Sequence, residues 1–198
     1  MMSSTPFSTK LSNELILGSA SPRRKQLLRD AGFEFQVRVV PFDEVFPNEM
    51  NPEDVAAFLA KGKNERQRKS VTTQIVLTAD TVVIHENKIL GKPESPEEAI
   101  QTLKLLSSDT HLVVTGVCIS DSQKSVSFSS KTEVKFRELT DEEIEFYVTN
   151  FHPKDKAGSY AIQEWIGLIG VEWIKGDYYN VVGLPIVKVY ETLLKEFR

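Results

Sequence analysis

The chain has 198 residues, 40% of them hydrophobic and 26% charged, enough to bury one sizeable core in a single globular unit. With 24 Lys and Arg against 28 Asp and Glu, the formal net charge is -4, which argues against a general polyanion binder that coats nucleic acid. One cysteine, Cys118, excludes an intrachain disulfide framework and a multi-cysteine zinc site, and no apolar run reaches the roughly 18 residues of a membrane span. A soluble protein of the reducing cytoplasm, with no membrane and no nucleic-acid polymer as partner, is expected. The Ser/Thr-rich start lacks the apolar centre of a secretory signal, so residues 1–13 read as a flexible tail ahead of one domain over 14–198.

Leu15 to Leu17 reads as a buried strand that runs into Gly18-Ser19-Ala20-Ser21-Pro22, a turn opening a helix with Ser21 as N-cap and Pro22 at the first helical position. Gly32 stops that helix, and Phe33 to Val40 reads as a second strand. Asn51-Pro52-Glu53 starts another helix, apolar at Val55, Phe58 and Leu59 and rich in cations toward Lys69, which suits a helix C-terminus. Ile75 to Ile84 is the most hydrophobic strand, interrupted by Thr78, Asp80 and Thr81. After a turn at Glu86-Asn87, Ser95-Pro96-Glu97-Glu98 carries the capping-box pattern of a helix through Leu106. His111 to Ser120 and Ser125 to Phe136 are long neighbouring strands, and Thr140-Asp141-Glu142-Glu143 caps a helix through Tyr147. A loop from Phe151 to Ser159, short strands at Tyr160 to Gln163 and Leu168 to Ile174, and a last helix from Leu184-Pro185 to Phe197 complete the reading. Interleaved strands and helices with long strands side by side predict a mixed-sheet α/β fold with a ligand cleft at strand ends.

Several residues within this frame carry chemistry. The loop from Gly18 to Arg24 sets backbone N–H groups, the positive end of a helix and the Arg23 and Arg24 guanidinium groups together, with Ser19 and Ser21 as hydroxyl donors, so an anion is expected there. An ionised Asp80 inside an apolar strand is costly unless a cation or metal pairs with it, and it can also take a proton from water; the alternative is a structural ion pair with a nearby lysine. Asp43-Glu44 offers further hard oxygen ligands. Lys63, Lys92 and Lys156 are candidate phosphate clamps, and Gln163 is an amide suited to reading a base edge. His85, His111 and His152 lack metal-ligand spacing and read as structural or surface residues. Trp165, Trp173, Tyr178 and Tyr179 read as core or interface aromatics.

LILGSASPRRKQLL at 15–28, ADTVV at 79–83, LGKP at 90–93, HLVVTGV at 111–117, DKAGSYAIQ at 155–163 and GDYYNVVGLP at 176–185 together resemble the Maf family of nucleoside triphosphate pyrophosphatases, first described as septum-formation-inhibitor-like proteins. The resemblance implies a Maf/inosine-triphosphatase-like fold of two lobes around a cleft, commonly homodimeric. It implies hydrolysis of a nucleoside triphosphate to the monophosphate and pyrophosphate with a divalent cation, Mg2+ or Mn2+. By motif, Asp80 matches the catalytic carboxylate and metal site, Glu44 an acidic residue near the metal, and Ser19, Arg24, Lys63 and Lys92 the phosphate-binding positions. Arg23, Thr81 and Gln163 match the branch that acts on dTTP and UTP, not the one that acts on 7-methyl-GTP. The family's older name carries the rival expectation of a nucleotide-binding regulator of cell division without turnover.

Overall fold

A computed structural model describes residues 10–198. Residues 1–9 of the expected tail lie outside the described residues, while Ser12 donates from both N and Oγ to the Phe197 carbonyl, each at 2.9 Å. Seven strands form one mixed sheet in the order β2-β1-β3-β5-β6-β7, with β4 also on β3. These are β1 (Leu15–Leu17), β2 (Gln36–Val37), β3 (Ile75–His85), β4 (Lys88–Leu90), β5 (Thr110–Ser120), β6 (Ser125–Phe136) and β7 (Val171–Lys175). β1 runs parallel to β2 and β3, and every other pairing is antiparallel. The mixed-sheet α/β expectation is met.

The helices begin where their capping residues place them. In α1 (Pro22–Asp30) Ser21 Oγ accepts from Arg24 N, and in α2 (Pro52–Arg68) Asn51 Oδ1 accepts from Glu53 N, each with Pro at the first helical position. Ser95 caps α3 (Pro96–Leu106), though Glu98 turns its carboxylate to Glu94 N, so the predicted box is not reciprocal. Thr140 and Glu143 form a complete box at α4 (Asp141–Phe151). Phe58, read as an apolar position of α2, faces solvent, as does Leu105 of α3.

Departures cluster where short apolar runs left the period ambiguous. The second strand is only β2, two exposed residues at the sheet margin, not Phe33 to Val40. Tyr160 to Gln163 is a turn, and the expected strand from Leu168 is divided between α5 (Trp165–Gly170) and β7. A short helix, α6 (Tyr178–Val182), begins at Asp177, whose side chain accepts from Tyr179 N, and precedes α7 (Ile186–Glu196).

β3 and β5 are buried on both faces, as their near-continuous apolar sequences require. α2 covers one face with Val55, Ala56, Leu59 and Ala60, and its rotation is fixed by Asn64, whose amide donates to Val76 O and Cys118 O and accepts from Ser120 Oγ. Gly116 on β5 allows the closest approach, because a Cβ there would lie 2.3 Å from the backbone of Ala56 and Ala57. The other face carries a core with α1 and α7 at one end and a second core of α3, α4 and α5 at the other. One edge of β3 is shared by two strands. β1 pairs with Ile75 to Leu77 and β4 with Val83 to His85, which leaves residues 78 to 82 uncovered between them. Through that gap both faces of the sheet reach one cleft.

Candidate functional site

The cleft has a volume of about 790 Å³, and the nine residues marked by the family resemblance line it, as do Ser21 and Lys156, whereas Asp43 does not. β3 sorts two of them by its period of two: Asp80 faces α2 with Thr78 and Val82, and Thr81 faces the opposite side with Ala79 and Val83. Asp80 is 9% exposed, and its Oδ1 accepts from Lys63 Nζ on α2 at 2.5 Å. The same ammonium lies 2.5 Å from Glu44 Oε1, and Lys92 Nζ lies 3.6 Å from Glu44 Oε2. Two carboxylates from distant segments thus converge on one cation. Burial alone would raise the Glu44 pKa, but the hydrogen bond and charge of Lys63, joined by Lys92, hold it below the ordinary carboxylate value.

The loop after β1 bends into α1 beside this pair. Ser19 Oγ accepts from Ser21 N at 3.3 Å and from Arg24 Nη1 at 3.2 Å. Arg24 also donates from Nη1 to Ala79 O and from Nε to Gly183 O, both at 2.8 Å, and from Nη2 to Thr81 Oγ1 at 3.0 Å. Its guanidinium therefore plugs the gap in the sheet as a fixed charge, with one N–H left over of the five. Desolvation lowers the Arg24 pKa, and the charge of Asp80 opposes that shift. Thr115 Oγ1 gives its hydrogen to Asn180 O at 3.0 Å, so in the 2.9 Å contact between the Thr81 and Thr115 hydroxyls Thr81 is the donor. A directed chain, Arg24 to Thr81 to Thr115 to the Asn180 carbonyl, follows.

Arg23 and Gln163 line the same cleft together with the segment from Asp155 to Ala157. Arg23 Nη1 lies 3.4 Å from Asp155 Oδ2, and Asp155 Oδ1 accepts from Lys156 Nζ at 3.1 Å. Lys156, a phosphate-clamp candidate by sequence, is 7% exposed and has Glu164 Oε1 3.4 Å away on its other side. Gln163 is exposed toward the cleft from the turn that opens α5. Asp155, Glu164, Thr115 and Asn180 escaped the sequence reading; the DKAGSYAIQ segment was visible as a motif, but its ion pairs join positions that only the fold brings together.

The remaining candidates lie elsewhere. Cys118 is buried, in keeping with an inert thiol. His111 is buried beneath Tyr160, with Nε2 2.7 Å from its hydroxyl, and desolvation holds its pKa at about 3, so it is neutral. Trp173, Tyr178 and Tyr179 are substantially exposed and do not belong to the core. Among the described residues no group of three or more His, Cys, Asp or Glu side chains is arranged for a metal, and no helix is long and apolar enough to cross a membrane.

Comparison with known proteins gives the family of the chain. A family model described as Maf-like protein matches residues 14–196. A dTTP/UTP pyrophosphatase of Christiangramia forsetii is 46% identical over 182 residues, 91% of this chain and 93% of that protein. Another dTTP/UTP pyrophosphatase, from Porphyromonas gingivalis, is 46% identical over 188 residues, 93% of this chain and 94% of its own. A solved HAM1 protein from Coxiella burnetii aligns with a TM-score of 0.49 at 15% identity over 92% of this chain and 99% of that one. With nearly the whole described chain matched in sequence, this protein belongs to the Maf-like protein family.

Proposed function

We propose that the protein is a cytoplasmic nucleoside triphosphate pyrophosphatase that hydrolyses dTTP and UTP to the monophosphate and pyrophosphate. One observation carries the reading: Asp80 and Glu44 converge on the Lys63 ammonium at the uncovered edge of β3, beside the start of α1. The names of the relatives above supply the substrate class.

In this reading the triphosphate lies along the opening of α1. Backbone N–H groups of Ser19, Ala20 and Arg23, the positive helix end and the fixed Arg24 charge receive phosphate oxygens there. Lys92, on an exposed side chain, and Lys63 neutralise the leaving pyrophosphate. Asp80 Oδ1 is held by Lys63, whereas Oδ2 takes no hydrogen bond among the described residues, so Oδ2 accepts the proton of the water that attacks the α-phosphorus. The bond from that phosphorus to the bridging oxygen breaks, and pyrophosphate leaves with the electron pair. Asp80 and Glu44 also fit a divalent cation and would hold it, since their hard oxygens already address one positive charge. Such an ion, when bound, supplies charge neutralisation at the phosphate oxygens. Gln163 and Arg23 address the base, where an amide that the bound ring covers and leaves unpaired penalises the wrong ring edge.

Chromatographic detection of UMP and pyrophosphate from UTP in the presence of Mg2+ or Mn2+ tests the reading against that of a non-hydrolysing regulator. Asp80→Asn should lower kcat by about 10²–10⁴-fold. Turnover of that variant near the wild-type rate would overturn the assignment.

A further inference from the structure

Behind Gln163 lies a closed polar network whose residues the mechanism above does not use. Tyr147 on α4 is fully buried, and its hydroxyl donates to Glu164 Oε2 at 2.5 Å while accepting from Ala161 N at 3.2 Å. Glu164 N closes the turn by donating to Ala161 O at 3.0 Å. Gln163 therefore sits on a four-residue turn both of whose ends are tied to one phenol oxygen. Burial, and then the adjacent Glu164 carboxylate, raises the Tyr147 pKa above its ordinary value, so the hydroxyl remains a donor.

The network continues to Arg23. Glu164 Oε1 meets Lys156, Lys156 meets Asp155, and Asp155 meets Arg23, at 3.4, 3.1 and 3.4 Å in that order. Charges alternate along the path from the turn that carries Gln163 to Arg23. An ammonium as buried as that of Lys156 needs a carboxylate partner, and Glu164 and Asp155 both supply one, so the two acids are coupled through it. Arg23 and the turn that presents Gln163 are thereby linked by one chain of ion pairs.

The geometry points to Tyr147 and Lys156 as positioning residues for base selection: they set the span between Arg23 and Gln163, and selectivity for a pyrimidine depends on that span. This rests on the reading that the part of the cleft lined by Arg23 and Gln163 receives the base. It does not depend on hydrolysis, so its test uses a product nucleotide.

Calorimetric affinity for UMP and GMP is measured for the wild type, Tyr147→Phe, Gln163→Ala and the double variant, with pyrophosphate release from UTP assayed separately. Tyr147→Phe should weaken UMP by about tenfold and narrow the preference for UMP over GMP, a loss typical of one hydrogen bond to a charged partner. On the Gln163→Ala background the same substitution should cost less than about twofold, because the turn then has nothing to present. Lys156→Met should repeat this pattern, and Lys156→Arg should restore most of the affinity because a guanidinium also bridges two carboxylates. If Tyr147→Phe proves unstable, the cycle of Lys156→Met with Gln163→Ala decides the question. Equal costs on both backgrounds, an unchanged UMP to GMP ratio, or failure of the wild type to bind UMP would overturn the proposal. Absence of pyrophosphate release with the coupled affinities intact would instead overturn the hydrolytic reading alone.

Discussion

Replacing Lys63 by methionine keeps the aliphatic stem and removes the ammonium that lies 2.5 Å from both Glu44 Oε1 and Asp80 Oδ1. Those oxygens are no more than twice that distance apart, and at about 5 Å and an effective dielectric constant of about 20 two unit charges repel by ~3 kcal/mol. Glu44 is 43% exposed, so water and salt screen part of this, leaving ~1–2 kcal/mol. In a chain of this length that corresponds to a loss of ~2–8 °C in Tm. The pH dependence follows from Glu44, whose pKa burial would raise but Lys63 and Lys92 hold below the ordinary value. A carboxylate depressed in the folded state contributes stability above its unfolded pKa of about 4.5 and loses it as pH falls through the folded value. The gap between wild type and variant should therefore be full near neutral pH and close in acid below about pH 4.5. Mn2+ should raise the Tm of the variant more than that of the wild type, because the divalent ion then meets both carboxylates without displacing an ammonium. Differential scanning fluorimetry at neutral and acid pH, with and without Mn2+, reads all of this. A variant as stable as the wild type at neutral pH, or a gap that persists in acid, would refute the reasoning.

Thr81→Val should cost about 1.5–3 kcal/mol by removing the acceptor of an Arg24 N–H, a loss of ~3–12 °C in Tm that Thr81→Ser largely restores. His111, held near pKa 3 by burial, is protonated more readily in the unfolded chain. Stability is therefore lost as pH falls from about 6.5 toward 3, by on the order of 4 kcal/mol in all, and His111→Phe should flatten that slope in acid-unfolding curves. Gly167→Ala places a Cβ 1.9 Å from the Ile162 carbonyl, so the turn bearing Gln163 must move. Its expected cost is about 3 kcal/mol, with a higher KM for UTP than in the wild type.

The helices whose starts carry Ser-Pro, Asn-Pro or a Thr/Glu box were legible in the sequence because capping is a local interaction. The long strands β3 and β5 are equally plain from their apolar runs, and β6 from its alternation of polar and apolar residues. The strand expected over Phe33 to Val40 is too long because Val37 and Val39, though apolar, are exposed, and Leu168 to Gly170 of α5 reads as strand because WIGLIG lacks a polar face to show a helical period. Among the candidate site residues, Ser19, Arg23 and Arg24 could be grouped from one short segment. The meeting of Lys63 with Glu44 and Asp80 could not, since it depends on how α2 rests on the sheet and on the path of residues 38 to 51. Nor could the gap between β1 and β4, which is a property of strand pairing and not of any residue in it.

The contact at Gly116 seats the backbone of α2 directly on β5, so the place of Lys63 over the sheet is set by a glycine on the strand next to the one that carries Asp80. Glu44 reaches the same ammonium from a different support: the segment carrying it leans on α2 where the Phe42 ring rests over Gly62, and a Cβ at that position would lie 2.6 Å from the ring. A side chain at 62 would thus push Phe42 aside and disturb Glu44, while Asp80, anchored in β3, would keep its position.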